Sequence, residues 1–182
     1  MQVRRFALAM SLTAAVLADA LGGASLGLAQ SDLELEALNR QVISLSNAGK
    51  TAQAVAIAER YAEAIKAHHG PEHPQYATAL NNLAHVLQDT GRLADAEPLI
   101  RGALAIFEKS FGLGHSTVAV CLSNLAGLLQ DTNRLDEAEP LYRRAISIEE
   151  ENSGPEHPTV AIRLNGLGRC CARAIGSLRP RH

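Results

Sequence analysis

The amino-acid sequence predicts an all-α fold, a solenoid of antiparallel helix pairs, and three observations lead to that prediction. The segment GPEHP occurs at residues 70–74 and 154–158, with the related GLGHS midway at 112–116, so a unit of 42 residues repeats. Within each unit, apolar residues recur at the 3, 4 and 7 spacing of one helix face. Leucine and alanine dominate the apolar content and aromatic residues make up only 3%, which favours helix.

The first 29 residues are predicted to be a signal peptide. MQVRR is positively charged, FALAMSLTAAVL is apolar, and the small residues that follow place the cleavage after Ala29, with Gly27 as the other small residue. An uncleaved anchor is the alternative, but Asp19 interrupts the apolar run, which is short for a membrane span. We therefore expect an exported protein, periplasmic or secreted, with no membrane attachment after cleavage.

The unit at residues 70–111 is predicted to form two helices. Its first helix, helix A, begins at Pro74, whose missing N–H has no helical partner in a first turn anyway. Helix A runs to about Asp89 and ends before Gly91, and helix B begins near Leu93.

The period divides the whole chain into segments. These are the signal peptide 1–29, a first atypical unit 30–69, full units 70–111 and 112–153, helix A of a partial fourth unit 154–169, and a tail 170–182. In the first unit, Ser31 and Glu34 suggest a capping box at the start of helix A. Gln41 stands where the later units have leucine, as expected of a more polar terminal cap.

The tail after Arg169 departs from the repeat. Cys170 and Cys171 replace two core leucines, and no helix B pattern follows. One permitted set of codons for the tail, read one base earlier, gives LLRAGNRLAEAEA, which restores the repeat; our hypothesis is that the tail is out of frame. Without a helix B, leucines of the fourth unit are expected to be exposed, which favours self-association through this end, disorder or aggregation. The cysteine pair is a weak zinc candidate, because structural zinc takes about four spaced ligands.

The phrases LNNLA in the second unit and AEPLYRRA in the third carry a family resemblance. Over residues 32–169 the chain resembles tetratricopeptide repeat proteins of the 42-residue, kinesin-light-chain-like type, in a bacterial exported form. The resemblance implies a right-handed superhelical array of helix pairs. It also implies non-covalent binding of a peptide or partner protein in the concave groove.

A polar stripe on the helices A is the candidate site, because it recurs with the repeat and an asparagine side chain can both donate to and accept from a peptide backbone. Its predicted groove residues are Asn39, Asn81, Asn82, His85, Asp89, Ser123, Asn124 and Asp131. The alternative is that these amides bond neighbouring helices and fix the stacking.

Other function classes find little support. No nucleophile elbow, paired-histidine zinc motif or phosphate loop is present, so neither catalysis nor a cofactor is expected. A net charge of −2 gives no basic footprint for nucleic acid. His73, His115 and His157 lie a whole unit apart and are expected to cap helices A rather than bind a metal. The rival function is structural: a truncated or oligomerising fragment of a longer array that carried further repeats or an effector domain.

Overall fold

The computed structural model describes the backbone of residues 23–177 and the side chains of residues 32–175. The backbone there forms seven helices and no strand: α1 Gly23–Asn47, α2 Thr51–His69, α3 Pro74–Asp89, α4 Leu93–Phe111, α5 Ser116–Asp131, α6 Leu135–Ser153 and α7 Pro158–Ser177. Each helix packs against the next along the chain. The predicted all-α repeat array is confirmed, with α1, α3, α5 and α7 as helices A. Most of the predicted signal peptide, residues 1–22, lies outside the described residues.

Histidines cap the starts of three helices A, α3, α5 and α7, as the sequence predicted. His73 is the residue before α3, and its Nδ1 accepts a hydrogen bond from the backbone N–H of Gln75 at 3.2 Å. This bond satisfies one of the N–H groups that a helix start leaves without a partner. The same bond recurs at the starts of α5 and α7, from Thr117 to His115 at 3.1 Å and from Thr159 to His157 at 3.4 Å.

The core runs along the array between the helices A and B. Ala84, Ala96 and Ala103 have no exposed surface, so α3 and α4 can approach closely. The centre of the core is α5, where Leu122 and Leu129 are also fully buried.

The first unit is a polar cap, as predicted. Four residues of α1 are exposed: Glu34, Ala37, Gln41 and Ser44. Their equivalents in α5 are all buried: Val118, Cys121, Leu125 and Leu128. The capping box at Ser31 is a wrong prediction, because α1 is already helical from Gly23. The stretch before Ser31 contains the helix-favouring residues alanine and leucine, so it continues the helix upstream.

The last helix also differs from the prediction. Helix α7 does not end near Arg169 but continues to Ser177, so much of the segment assigned to an aberrant tail is helical. Cys170 occupies the core position of Leu128 and is 1% exposed, with its Sγ 3.7 Å from the carbonyl oxygen of Leu135. A small apolar cysteine is compatible with that buried position.

Charged side chains link successive units on the convex side. Arg134 contacts Glu97 of the preceding unit at 2.6 Å and Glu137 of its own unit at 2.6 Å. Burial acts to raise the pKa of Glu97, but hydrogen bonds from Arg101 and Arg134 outweigh it and the pKa is lowered. Arg134 thus connects two successive units, whereas Arg92, the equivalent residue one unit earlier, pairs with Asp95 of its own unit.

Candidate peptide-binding groove

The helices A line a groove that contains two adjoining cavities. The first groove cavity, of about 550 Å³, lies between α1, α2 and α3. The second, of about 270 Å³, lies between α3, α5 and α7, with side chains of α4 and α6 as its floor. His85 lines both cavities, so they form one surface.

All eight predicted groove residues line these cavities. Those of the first cavity are Asn39, Asn82, His85 and Asp89. Those of the second are Asn81, His85, Ser123, Asn124 and Asp131. Helical geometry explains the grouping, since the stripe that carries them lies beside the buried one of each helix A.

Two of the asparagines bond to each other across the second cavity. Asn124 donates from Nδ2 to Oδ1 of Asn81 at 3.1 Å, and both side chains are half-buried. This bond joins the second unit to the third, as the packing alternative expected. The bond uses one N–H of Asn124 and the oxygen of Asn81, and because a side-chain amide carries two N–H donors, both residues keep donor capacity beside the cavity that they line.

The rest of the polar stripe varies from unit to unit. Asn39 and Asn82 occupy the positions of Asn81 and Asn124 one unit earlier and line the first cavity. Ser123 donates its hydroxyl to the carbonyl of Ala119 in its own helix at 2.9 Å, so its donor is already used. Exposed amides are therefore concentrated toward the first cavity.

Equivalent residues of the helices B α2, α4 and α6 form the floor of the groove. Their side chains become larger along the chain, from Ala58 through Ile100 to Tyr142. The Tyr142 ring lies against Gly166 of α7, where a Cβ would be 2.7 Å from Cε1 of the ring. Tyr142 donates its hydroxyl to Oε1 of Gln130 at 3.2 Å, and burial raises the pKa of Tyr142. The tyrosine closes the floor of the second cavity.

Apolar and ionisable groups surround the amides. Ile43 in the first cavity is 53% exposed, and Ile162 in the second is 71% exposed. Between them, Nδ1 of His85 lies 3.8 Å from Oδ2 of Asp89 on an open surface. Each cavity thus offers polar groups beside an exposed apolar side chain.

A buried ion pair at the wall of the second cavity was missed from the sequence. Arg163 lines the cavity and contacts Oε2 of Glu149 at 3.0 Å, with both side chains only 6% exposed. Burial acts to raise the pKa of Glu149, but a hydrogen bond from Thr159, the charge of Arg163 and a bond from Ser153 outweigh it, so the pKa is lowered.

The same arginine is only partly satisfied. Its NH1 donates to the Thr159 carbonyl at 3.2 Å, while Nε is the one buried side-chain polar atom in the described range that lacks a hydrogen-bond partner. The sequence does mark Arg163 as unusual. The equivalent residues of the two preceding units are Ala79 and Cys121, which are both buried and uncharged.

Within residues 32–175 no cluster of three histidine, cysteine or acidic side chains is arranged to hold a metal ion. His68, His69 and His73 do meet, but as packed rings with centroids 4.4 and 4.7 Å apart. Burial raises the pKa of the Cys121 thiol to about 12, which leaves it protonated and unreactive. No helix in the described range is long and apolar enough to cross a membrane.

Comparison with known families identifies the repeat. A tetratricopeptide repeat profile matches the chain three times, at residues 33–109, 76–151 and 117–178. A search of curated proteins gives no match.

Solved structures with a similar fold are themselves repeat arrays. A putative kinesin light chain from Podosopora anserina with nearly identical TPR-like repeats is 24% identical, with a TM-score of 0.68; the match covers 75% of this chain and 65% of that one. BtubC (BKLC) from P. vanneervenii is 20% identical, with a TM-score of 0.64 and coverage of 84% and 68%. The Sgt2 TPR domain from Aspergillus fumigatus is 17% identical, with a TM-score of 0.57 and coverage of 82% and 86%. At these identities the likeness concerns the fold.

Proposed function

Because the chain belongs to the tetratricopeptide repeat family, we propose that it is a protein-interaction module that binds an extended peptide, or an extended segment of a partner protein, in its concave groove. One observation carries the proposal: eight polar residues from three helices line two cavities that meet at His85. No catalytic step and no cofactor form part of this function.

The chemistry of the groove suits a peptide backbone. An extended peptide presents N–H and C=O groups that need partners once water is displaced. Exposed Asn82 and half-buried Asn39 and Asn124 can each donate and accept. Ile43 and Ile162 offer apolar contact to peptide side chains on either side of the amides.

We further propose that the chain acts after export, in the periplasm or outside the cell. The support is the pattern of the first 29 residues. N-terminal sequencing of the protein recovered from an exported fraction should give Gln30 as the first residue, and an intact Met1 would contradict cleavage.

The groove is tested by selecting peptides from a random display library on the immobilised chain and measuring their affinities by fluorescence anisotropy. Asn82→Ala with Asp89→Ala is the informative variant, because both side chains are exposed in the groove and neither supports the core. Loss of one or two hydrogen bonds is expected to weaken binding about tenfold.

The matched control is Glu139→Ala with Arg143→Ala, which removes an exposed pair from the convex helix α6. The control should bind as tightly as the unmodified chain. Selected peptides that bind the groove variant and the control equally well would remove the groove from the proposal.

A structural role in a longer array is the second candidate function. The chain spans 65% of the length of the kinesin light chain structure it resembles, so a groove of that length would extend beyond these repeats. In that case the module spaces or extends an array, and the display selection should enrich no peptide over a blank surface.

A further inference from the structure

The last helix has an apolar face that nothing in the described residues covers. Its residues, which we call the α7 face, are Ala161, Leu164, Gly168, Cys171 and Ile175. Leu164 is 49% exposed and Ile175 is 64% exposed. The equivalents of the first four in α5 are all 0% exposed: Ala119, Leu122, Ala126 and Leu129. In α5, the equivalent face is therefore covered by neighbouring helices.

The spacing of the α7 face also indicates a helical partner. Successive members are 3, 4, 3 and 4 residues apart, the spacing of the seam between two helices in a coiled coil. None of the five is charged. Gly168 lies at the centre, and a Cβ there would meet nothing within 4 Å, so another backbone could approach closely.

The opposite end of the array does not complement this face. There Glu34, Gln41 and Ser44 are exposed where later units carry buried apolar residues. Head-to-tail stacking of copies would bury these polar groups against Leu164 and its neighbours at a cost. Within the described residues, the N-terminal end is therefore a poor complement to the α7 face.

A second copy of the α7 face does complement it. If two α7 helices pair antiparallel with Gly168 at the centre, Ala161 lies opposite Ile175 of the second copy, seven residues on either side of the glycine. Leu164, four residues before the glycine, then lies next to Cys171 of the second copy, three residues after it. A small side chain then meets a larger one on either side of the axis, and the two glycines let the backbones approach closely at the centre.

We propose that the α7 face is a homodimer interface, in which two chains pair their last helices antiparallel about a two-fold axis at Gly168. The interface is isologous and closes at two copies. Five residues a side form a small contact, so we expect a reversible dimer with Kd in the micromolar range or weaker. The proposal does not depend on peptide binding in the groove.

Sedimentation velocity of the full chain over a range of concentrations tests the interface. A monomer–dimer equilibrium is expected, and Leu164→Glu with Ile175→Glu should leave only monomer. Leu33→Glu is the matched control, because Leu33 is 64% exposed at the other end and should not affect the dimer. Helical circular dichroism of each variant separates loss of pairing from loss of folding. A chain that is monomeric at every concentration, or whose association the α7 variant leaves intact, would overturn the proposal.

Disulfide trapping tests the two-fold axis itself. In a Cys171→Ser background, Gly168→Cys should form a covalent dimer under mild oxidation, because the two new thiols meet on the axis. Glu34→Cys in the same background is the control and should remain monomeric. Trapping at Glu34 but not at Gly168 would place the contact elsewhere and refute the geometry.

Discussion

The side-chain amide of Asn124 donates a hydrogen bond to the amide oxygen of Asn81 at 3.1 Å, and it thereby ties α5 to α3 across the second groove cavity. The bond repeats neither one unit earlier nor one unit later in the same form. Gly166 replaces the asparagine in the fourth unit, and α7 there packs on Tyr142 instead. The contact between units is therefore made differently at each junction, although the backbone repeats.

Removal of the bond between Asn124 and Asn81 should lower the stability of the fold, whether or not it also weakens peptide binding. Asn81→Ala is expected to lower the free energy of unfolding by about 1 kcal/mol, because Asn124 loses a half-buried partner. Asn82→Ala, at an exposed neighbouring position, should cost much less. A double-mutant cycle of Asn81→Ala and Asn124→Ala, followed by urea unfolding, measures the pair; a coupling energy of zero would contradict the bond.

The fit of Tyr142 against Gly166 gives a second prediction. A Cβ at residue 166 would lie 2.7 Å from Cε1 of the ring, so Gly166→Ala should lower the unfolding free energy by about 1–3 kcal/mol. Gly127→Ala is the control in the neighbouring helix, since its Cβ would meet the tyrosine hydroxyl at an ordinary 3.6 Å. That control should be neutral or stabilising by up to about 1 kcal/mol, because alanine favours helix over glycine.

A rescue experiment assigns the cost of Gly166→Ala to the tyrosine ring. Tyr142→Ile introduces the residue that the preceding unit carries at this position, Ile100. In that background the alanine at residue 166 should no longer be penalised. Thermal unfolding of the unmodified chain, the two single variants and the double variant measures this rescue, and an undiminished penalty would show that the strain lies elsewhere.

The sequence predicted the helices much better than the contacts between them. The start of α3 at Pro74 and its end at Asp89 follow from local signals, a proline in the first turn and the Thr90-Gly91 break, and the structure confirms both. That the eight polar residues share one surface was also predictable, because the period of a helix determines which residues lie on one face. The side chain of Asn81 could bond either to a bound peptide or to Asn124. Which of the two it can reach depends on the spacing between helices, and no local sequence signal specifies that spacing.

Other features were not readable because they depend on a residue far along the chain. Gly166 occupies a position where the two preceding units carry asparagine. The glycine is required there by the ring of Tyr142, which lies in another helix. The extension of α7 past Arg169 was missed because the tail was judged by its lack of a helix B pattern. Its helix-forming residues and the burial of Cys170 support the helix nonetheless.

The buried pair of Arg163 and Glu149 should be costly to break on one side only. Glu149→Ala leaves a nearly buried guanidinium without its counter-charge and should lower the unfolding free energy by about 3–5 kcal/mol. The double variant Glu149→Met with Arg163→Met removes both charges and should recover most of that loss.

An exposed ion pair of the same helix is the control for this effect. Glu139→Ala breaks the pair with Arg143, whose side chain is 64% exposed, and should cost about 1 kcal/mol or less. Urea unfolding of the three variants gives the comparison. If Glu149→Ala cost no more than Glu139→Ala, the pair would have to be solvated rather than buried.

The histidine stack predicts a pH dependence of stability. Burial lowers the pKa of His69 below its ordinary 6.5, and the charges of His68 and His73 lower it further, while Asp32 acts in the opposite sense. The folded chain therefore binds this proton less readily than the unfolded chain. The stability that His69 contributes is complete above pH 6.5 and is lost as the pH falls from 6.5 through the lower folded pKa. The lowered pKa of Glu149 acts separately, because its contribution is lost only as the pH falls below the ordinary 4.5.

His69→Phe isolates the upper part of this dependence, because phenylalanine retains a ring to stack on His73, whose centroid lies 4.7 Å away, but cannot be protonated. Unfolding free energies measured from about pH 7 to pH 5 should fall less steeply for this variant than for the unmodified chain. Gln53→Phe is the control, because it introduces a ring at an exposed position of the same helix, α2, and removes no titratable group, so the slope should stay unchanged. Because the slope counts the protons taken up on unfolding, equal slopes for the unmodified chain and His69→Phe would mean that His69 takes up no extra proton when the array unfolds.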